Sequence, residues 1–505
     1  MPFRHFALHL VTLMLSLPAA HARLDLLSPR DERPSTTREF VNVLGRTTPG
    51  HTVRVGGEPV TVFATGVFAR DRVPLLPGLN RIALEAVSPG GSVSTRVLEI
   101  ERTPSLPPLE PPPPVPDLPI VPEELFEVVG PDVAELLHGV HEVRLGGPFV
   151  AEAAPGTRLI ANARRGDLLR VQLAPGFMAW LPRSAVQPVP PGAADDAGRA
   201  RPIFTNLSIA GHNEGDVLNI PLASPLPYAV RALPGVLEID IFGTHLATTW
   251  ISHRASAKLV GEGTVEALGD DRVRVRLRLA GPRAFVWGWR VEHAAGAMRV
   301  IVCAPPTVAA SGSPLAGLHV ALEAGHGSAE NTGAIGATGV AEKDINRWTT
   351  DALADELRAA GARVTMVREG DDNPPLRERA RRVLASPAQL FVSVHGNAAD
   401  TGNGFLRVSG TSHYYKHSHS RDLAAAVHRR MLAMTGLDDF GLVGNFNYTP
   451  LRLVTAMPAI LVEQAFLSHP GDEAKLVDPA FRAVMARAVR QGIEDFLRQS
   501  ESRSR

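Results

Sequence analysis

FVSVHGNA, residues 391–398, has the pattern of a buried β-strand that ends at a histidine followed by small residues. Three further motifs place a polar residue at the end of an apolar run or at the start of a helix-like run: EAGHGS at 323–328, AEKDIN at 341–346 and AILVEQAFLS at 459–468. The polar residues in question are His326, Glu342, His395 and Glu463. Any one of them alone is more often a structural residue than a ligand, but the four together are hard to assign to structure.

Strand-like and helix-like segments alternate around these motifs, from residue 316 to residue 500. The strand-like segments are LHVALEA, ARVTMV, QLFVSV, GFLRVSG and AILVEQ. The predicted helices are Lys343–Ala360, Pro375–Ala385, Ser418–Met434 and Ala480–Leu497. Such alternation predicts an α/β domain with a mainly parallel, twisted sheet flanked by helices. Because ligands bind outside the carboxyl ends of the strands in open sheets of this kind, we expect His326, His395 and Glu463 to converge there.

Two histidines and two glutamates at one sheet edge indicate metal-dependent hydrolysis. An open zinc site uses three protein ligands with nitrogen or oxygen donors and leaves one position for water, and a further glutamate can act as general base. Rival chemistries lack their motifs, since the chain has no HExxH helix, no GxSxG elbow and no GK[ST] ending after GAIGATG. The cluster His413, His417 and His419 is expected to form a substrate-contacting or surface loop rather than a second metal site.

The composition of the 505 residues limits the partners of the protein. It contains 52 basic and 52 acidic residues, so its formal net charge is zero and no general attraction to nucleic acid is expected. The single cysteine, Cys303, ends the strand-like run MRVIVC and permits no intramolecular disulfide. We expect it to be a buried core thiol.

Residues 1–22 have the pattern of a signal peptide. A basic start precedes an apolar run from Phe6 to Leu17, and Ala20 and Ala22 provide the small residues of a cleavage site. The apolar run is shorter than the roughly 20 residues that a membrane-spanning helix needs. The sequence therefore predicts export and cleavage after Ala22, with an uncleaved anchor as the alternative.

Short alternating runs separated by Gly and Pro turns predict all-β modules before the α/β domain. The predicted segments are an immunoglobulin-like β-sandwich at 24–103, a proline-rich linker at 104–123, a small β-barrel of bacterial Src-homology type at 124–190 and a sandwich similar to AMIN modules at 200–306. Trp180 is expected either in the barrel core or on a peptide-binding surface. The alternating arginines between Arg272 and Arg278 predict a solvated strand face, with a glycan-binding face as the alternative.

Residues Leu318–Gln499 resemble the catalytic domain of zinc-dependent N-acetylmuramoyl-L-alanine amidases. The matching motifs are GHG at 325–327, GA at 333–334, EK at 342–343, VREGDD at 367–372, LRERA at 376–380, SVHGNA at 393–398 and MPAILVEQAFLS at 457–468. The resemblance implies that His326, Glu342 and His395 are zinc ligands and that Glu463 is the catalytic glutamate. Departures from the family lie beside these residues, for example Glu323-Ala324 in place of the usual Asp-Pro.

The expected function is that of an exported zinc hydrolase, with its catalytic domain at 316–500, that cleaves the amide between N-acetylmuramic acid and L-alanine of the stem peptide. We expect Zn²⁺ as cofactor, peptidoglycan as substrate, and a monomer in the periplasm or cell envelope without a membrane span or a nucleic-acid partner. An activator protein is not expected, because residues 398–417 are too few for an occluding helix with its turns. The alternatives are a non-catalytic cell-wall-binding protein and a zinc peptidase that cuts within the stem peptide.

Overall fold

The computed structural model describes residues 23–31, 34–105, 115–139, 148–190, 201–203, 207–269, 271–281, 284–294, 296–309 and 311–504. The predicted signal peptide and the consecutive prolines of the predicted linker lie outside these residues. The chain divides into two compact units: one contains Met1–Pro107, Asp400–Val408 and His469–Ala474, and the other contains Pro108–Ala399, Ser409–Ser468 and Lys475–Arg505. Among the helices that the structure describes, none combines the length and apolar character that crossing a membrane requires.

The first unit contains a two-sheet β-sandwich. Its strands are β1 (Leu24–Ser28), β2 (Ser35–Thr36), β3 (Phe40–Thr47), β4 (Thr52–Val55), β5 (Glu58–Val60), β6 (Val67–Pro74), β7 (Gly78–Val87) and β8 (Val93–Arg102). The sheet orders are β1-β3-β6 and β2-β8-β7-β4-β5, and Val43, Phe68 and Leu84 are buried in the core. The carboxylate of Asp71 accepts hydrogen bonds from the backbone N–H groups of Phe405 (2.7 Å) and Leu406 (2.8 Å) within this unit.

The second unit begins with a β-rich region. Its first strands are β9 (Leu118–Val128), β10 (Ala134–Leu137), β11 (Phe149–Ala153), β12 (Arg158–Arg165), β13 (Leu168–Ala174), β14 (Phe177–Pro182) and β15 (Val186–Pro188). Strand β9 begins inside the segment predicted as linker. At Pro119 the strand pairs with β12 alone, so the missing N–H of proline interrupts no ladder on the other side. Trp180 is buried, with the guanidinium of Arg165 5.2 Å from its ring centre.

A second sandwich follows and continues the same sheet. Its strands are β16 (Arg201–Ile203), β17 (Leu207–His212), β18 (Gly215–Pro221), β19 (Tyr228–Leu233), β20 (Val236–Phe242), β21 (Thr244–Leu246), β22 (Ile251–His253), β23 (Val260–Gly269), β24 (Arg272–Leu279), β25 (Gly288–Ala294) and β26 (Ala297–Cys303). One sheet runs from β15 through β11 to β19, β20, β24 and β23, joined where Glu152 pairs with Tyr228. The other has the order β22-β17-β18-β26-β25.

Three of the four arginines of β24 are paired with acidic side chains on neighbouring strands, and the guanidinium of the fourth, Arg272, lies 5.4 Å from the ring centre of Phe177. Arg274 lies 2.6 Å from Asp240, and Arg276 lies 2.9 Å from Glu238 and 2.6 Å from Glu266. Arg278 pairs with Glu262 at 3.2 Å. These carboxylates neutralise the strand face, which agrees with a solvated face rather than with an open anion or glycan site.

The C-terminal part of the second unit is a sheet covered by helices. Its strands are β27 (His319–Ala324), β28 (Arg363–Met366), β29 (Leu390–Asn397), β30 (Thr411–Tyr414), β31 (Asp439–Val443) and β32 (Ala459–Phe466). The helices of this region are α1 (Glu342–Ala359), α2 (Leu376–Ala385), α3 (Arg421–Thr435), α4 (Thr449–Leu453), α5 (Pro470–Leu476) and α6 (Pro479–Ser504). The strand order is β28-β27-β29-β32-β30-β31, with the first four strands parallel and β30 antiparallel to β32.

Alternate residues of the parallel strands face two separate cores. Val392 and Val462 pack in the cluster that includes residues of α1, α3 and α6, whereas Phe391 and Leu461 pack in the cluster that includes residues of α2 and α4. Strands buried on both faces explain the continuous apolar runs in the sequence. Trp348 of α1 is 44% exposed.

One predicted strand of this region is wrong. GFLRVSG at 404–410, all of which the structure describes, forms bends, and the strand lies just after it at Thr411–Tyr414. The polar sequence TSHY becomes a strand because it pairs with β32, with Ser412 opposite Glu463. The prediction from the local apolar pattern therefore put the strand one segment before its position in the structure.

Candidate functional site

The four residues singled out in the sequence lie at one edge of the C-terminal sheet. His326 follows the end of β27, and His395 and Glu463 are opposite each other in the parallel register of β29 and β32. Glu342 is the first residue of α1. The carboxyl ends of adjacent parallel strands thus bring together residues far apart in sequence, as the alternation predicted.

The two histidines converge on one carboxylate oxygen. His326 Nε2 lies 3.1 Å from Glu342 Oε1, and His395 Nδ1 lies 3.2 Å from the same atom. One ligand atom from each of the three residues lies within 4.8 Å of the others. This separation is suited to three donors around one metal ion.

Backbone and side-chain donors fix the carboxylate of Glu342. Its Oε2 accepts a hydrogen bond from the N–H of Ala334 (3.0 Å), and its Oε1 accepts from the N–H of Gly396 (3.2 Å) and from Asn346 Nδ2 (3.3 Å). Gly333 has φ +69°, and a Cβ there would lie 2.5 Å from Glu342 Oε2. The glycine is needed because the backbone passes so close to the carboxylate.

The ring of His395 also lies close to the backbone, at Gly325. A Cβ on Gly325 would lie 2.2 Å from an atom of the His395 ring. The rings of His326 and His395 are 5.1 Å apart at 72°. Gln464 Nε2 donates to the backbone carbonyl of His395 at 3.2 Å, which holds that residue from the neighbouring strand.

The two glutamates have opposite pKa shifts. Burial alone would raise the pKa of Glu342, but hydrogen bonds from His326 and His395 outweigh it and hold that pKa well below its usual range. Burial and then the charge of Glu342 raise the pKa of Glu463 well above its usual range. Carboxyl groups whose pKa values diverge in this way are suited to different roles, one as an ionised ligand and one as a proton carrier.

Glu463 is enclosed at its carboxyl group. Its Oε2 is buried and has no hydrogen-bond partner among the described residues. Its backbone is fixed on both sides, by the pairing with His395 and by the hydroxyl of Thr411, which donates to the Glu463 carbonyl at 2.9 Å. The strand therefore fixes the backbone that carries this carboxyl group, while Oε2 has no hydrogen-bond partner among the described residues.

The histidine cluster of 413–419 is not a surface loop, which corrects the sequence-based expectation. His413 and His419 are buried. His413 Nδ1 lies 2.9 Å from Nδ1 of His428, while His417 Nε2 and His419 Nε2 lie 2.9 and 3.3 Å from the backbone carbonyls of Arg452 and Met457. Burial lowers the pKa values of His417 and His419 to about 4 and about 3. These histidines are neutral packing residues.

Several residues around the ligands were not recognised as functional in the sequence. They include Asn331, Asn346, Asn373, Arg379, Tyr448 and Gln464, each bonded to a ligand or to a neighbour of one. Asn346 and Arg379 lie within or beside matching motifs, which could have marked them. Tyr448 has no such signal, since its place depends on the fold of the segment before β32.

The donor set fits zinc. Zinc sites for catalysis use three ligands from His nitrogen and carboxylate oxygen, and this cluster offers two nitrogens and one oxygen. The oxygen is ionised, as a ligand must be, because the pKa of Glu342 is depressed. Within the part of the chain that the structure describes, His326, Glu342 and His395 are the one group of three such side chains whose donor atoms all lie within 4.8 Å of one another.

The fold and the site define a class of protein: an α/β domain with a cluster of two histidines and one glutamate that could hold a metal ion, and with a partly buried glutamate on the strand beside it. The N-acetylmuramoyl-L-alanine amidase family model matches residues 320–495. The chain is 31% identical over 195 residues to the uncharacterized protein YqiI of Bacillus subtilis, covering 38% of this chain and 90% of YqiI. It is 30% identical over 188 residues to the N-acetylmuramoyl-L-alanine amidase LytC of the same organism, covering 37% of each chain.

The chain is also similar in sequence to two solved structures. The catalytic domain of the N-acetylmuramoyl-L-alanine amidase CwlV from Bacillus (Paenibacillus) polymyxa var. colistinus is 30% identical, with 36% of this chain and 98% of that chain covered and a TM-score of 0.33. An N-acetylmuramoyl-L-alanine amidase from Clostridium difficile 630 is 28% identical, with coverages of 36% and 97% and a TM-score of 0.34. The chain belongs to the N-acetylmuramoyl-L-alanine amidase family.

Proposed function

We propose that this protein is a zinc-dependent hydrolase of peptidoglycan that cleaves the amide between N-acetylmuramic acid and L-alanine of the stem peptide. The observation that carries the proposal is the convergence of His326 Nε2 and His395 Nδ1 on one oxygen of Glu342. Glu463 lies on the strand next to His395 with a carboxyl group of raised pKa. The residues that we propose as ligands and as base all lie in the part of the chain that the family model matches.

His326, Glu342 and His395 would hold the ion, whose chemistry is to polarise the scissile carbonyl and to acidify water. Glu463 accepts a proton from the attacking water as the water oxygen bonds to the carbonyl carbon. It then gives that proton to the amide nitrogen as the C–N bond breaks. The products are a lactyl carboxylate on the sugar and a peptide with a free L-alanine amine. A raised pKa suits Glu463 to the second transfer, since the carboxyl must carry the proton between the two steps.

Location and partners extend this proposal. The signal-peptide pattern and the likeness to cell-wall amidases support export to the periplasm or cell envelope. We retain as proposals the immunoglobulin-like, barrel and AMIN-like assignments and the domain boundaries predicted from the sequence, with the β modules as wall-targeting elements. We also retain a monomer without a required activator protein.

Mass spectrometry of digested peptidoglycan tests the reaction. Purified sacculi are incubated with the zinc-loaded full chain, and an amidase should release intact stem peptides that begin with L-alanine. A matched incubation with Glu463→Gln, which keeps the size of the side chain, should release almost none. Shortened stems still attached to sugar would show a peptidase, and binding to sacculi without any released product would show a non-catalytic wall-binding protein.

A further inference from the structure

A chain of polar side chains leads from helix α2 to the ring of His326. His326 Nδ1 lies 2.8 Å from Asn331 Oδ1, and Asn331 Nδ2 donates to Asn373 Oδ1 at 3.0 Å. Arg379 Nη2 donates to the same oxygen of Asn373 at 3.0 Å. Two side chains, those of Asn373 and Asn331, thus connect a buried guanidinium to the histidine nitrogen that faces away from Glu342.

The guanidinium decides the direction of every bond in this chain. Arginine can only donate, so the Asn373 atom that it contacts must be the carbonyl oxygen. The Asn331 atom bonded to that oxygen must then be the NH₂ group, which leaves the Asn331 carbonyl oxygen facing the histidine. Nδ1 of His326 therefore donates to Asn331, and Nε2, on the side of Glu342, is the nitrogen that can offer its lone pair to a metal ion once its own proton has left.

Arg379 also holds the backbone of the same histidine. Its Nη2 donates to the His326 carbonyl at 2.8 Å. His326 has φ +61°, a left-handed conformation that costs a non-glycine residue about 1 kcal/mol or more and persists only where the surroundings enforce it. A single guanidinium therefore acts on both the peptide and, through two amides, the ring of His326.

The remaining donors of Arg379 are satisfied in the buried interior. Nε donates to the Pro374 carbonyl at 2.9 Å, and Nη1 donates to Glu323 Oε1 at 2.7 Å and to the Ala324 carbonyl at 3.3 Å. Arg379 and Glu323 are 1% and 0% exposed. A planar fork with five donors is needed here, and the single ammonium of lysine cannot replace it.

The carboxylate of Glu323 extends this support to the second histidine. The hydroxyl of Tyr448 donates to Glu323 Oε1 at 2.8 Å. The Tyr448 ring then meets the ring of His395 edge to face, with centres 5.6 Å apart. The buried pair therefore contacts the surroundings of both histidines, although only His326 is bonded to it through its backbone.

We propose that Arg379, acting through Asn373 and Asn331, is a positioning residue that fixes the tautomer and backbone of His326 for metal binding. This inference rests on the proposed role of His326 as a zinc ligand. Partners of this kind typically change metal affinity 10-fold to 100-fold when they are lost. Because the network includes polar groups outside the ligand set, it can be altered while all three ligands remain.

Zinc affinity of the full chain tests this, measured by competition with a chromophoric chelator. Asn331→Leu removes the acceptor that faces Nδ1 and should weaken zinc binding about 10-fold to 100-fold. Asn331→Asp keeps that acceptor but loses the NH₂ group that bonds Asn373, so it should weaken zinc binding less than Asn331→Leu does. Arg379→Lys should weaken binding to a similar extent. Arg382→Lys is the matched control, since Arg382 lies on the same helix but bonds the Val367 carbonyl and Asp372 at the surface.

Thermal unfolding of the zinc-free proteins separates positioning from folding. Asn331→Leu should unfold at the wild-type temperature and still bind zinc weakly, whereas a purely structural role would lower the unfolding temperature together with the affinity. Wild-type affinity in Asn331→Leu, or equal weakening in Asn331→Asp, would overturn the inference while leaving the zinc site intact. A wild-type chain that binds no zinc would instead overturn the proposed function itself.

Discussion

Replacing Glu463 by glutamine separates catalysis from metal binding. The substitution keeps the shape of the side chain and removes its ability to accept the proton of water. Loss of a general base typically costs about 10² to 10⁴ in rate. At about 1.4 kcal/mol for each factor of ten, the activation free energy should rise by about 3 to 5 kcal/mol.

The structure also predicts what this substitution leaves unchanged. Burial and the charge of Glu342 disfavour the charged form of Glu463 and raise its pKa, and the amide of glutamine carries no charge. No described residue hydrogen-bonds Glu463 Oε2, so the amide breaks no bond there. The free energy of unfolding should change by no more than about 1 kcal/mol.

The assay measures turnover of a soluble muropeptide, zinc content and unfolding free energy for the same preparations. Glu262→Gln is the matched control, because Glu262 is an exposed partner of Arg278 in the second sandwich and should leave all three values unchanged. Turnover of Glu463→Gln within about threefold of wild type would refute the assignment of the base. Loss of zinc would show that Glu463 belongs to the ligand set.

Three further outcomes are expected. His326→Ala and His395→Ala should each reduce bound zinc from about one ion per chain to almost none in metal analysis, since an open site has only three protein ligands. Burial would raise the pKa values of Glu238 and Asp240, but hydrogen bonds from arginines outweigh it and lower both pKa values in the folded protein. The two carboxylates should therefore stabilise the fold at pH values above their unfolded-state pKa, and this contribution should be lost as the pH falls through the lower pKa values of the folded state. The measurement is the free energy of unfolding in urea at a series of acidic pH values. Burial and then Glu214 raise the pKa of Cys303 to about 12, so the thiol should resist disulfide reagents in the folded protein at about pH 8 and react after unfolding.

The sequence was sufficient for the main architecture of the C-terminal domain because its strands are buried on both faces. Continuous apolar runs at β27, β29 and β32 mark such strands, and polar residues at their ends mark the functional edge. The same reasoning failed at β30. Thr411–Tyr414 has a polar sequence, and its burial comes from pairing with β32 and from the contact of His413 with His428, neither of which is local.

The network of polar side chains around the proposed metal ligands could not be predicted from a sequence pattern, for a related reason. Asn331, Asn373 and Arg379 are common polar residues in loops and on a helix, and nothing in their spacing indicates which partner each one bonds. Their roles depend on a left-handed turn at His326 that turns its carbonyl to Arg379. Backbone conformation of this kind is set by the whole network rather than by the adjacent residues.

The second sandwich is part of the structural support of the catalytic domain. Trp287, Ile301 and Cys303 of the sandwich belong to one hydrophobic cluster with Val392 and Phe496 of the C-terminal region. The Trp287 and Phe496 rings stack at 5.7 Å, and the backbone N–H of Trp289 donates to the Thr455 carbonyl at 2.8 Å. A module attached only to raise the local concentration of an enzyme on its substrate needs no shared core with that enzyme. This sandwich therefore stabilises the domain that carries Glu463, whatever further role it has at the cell wall.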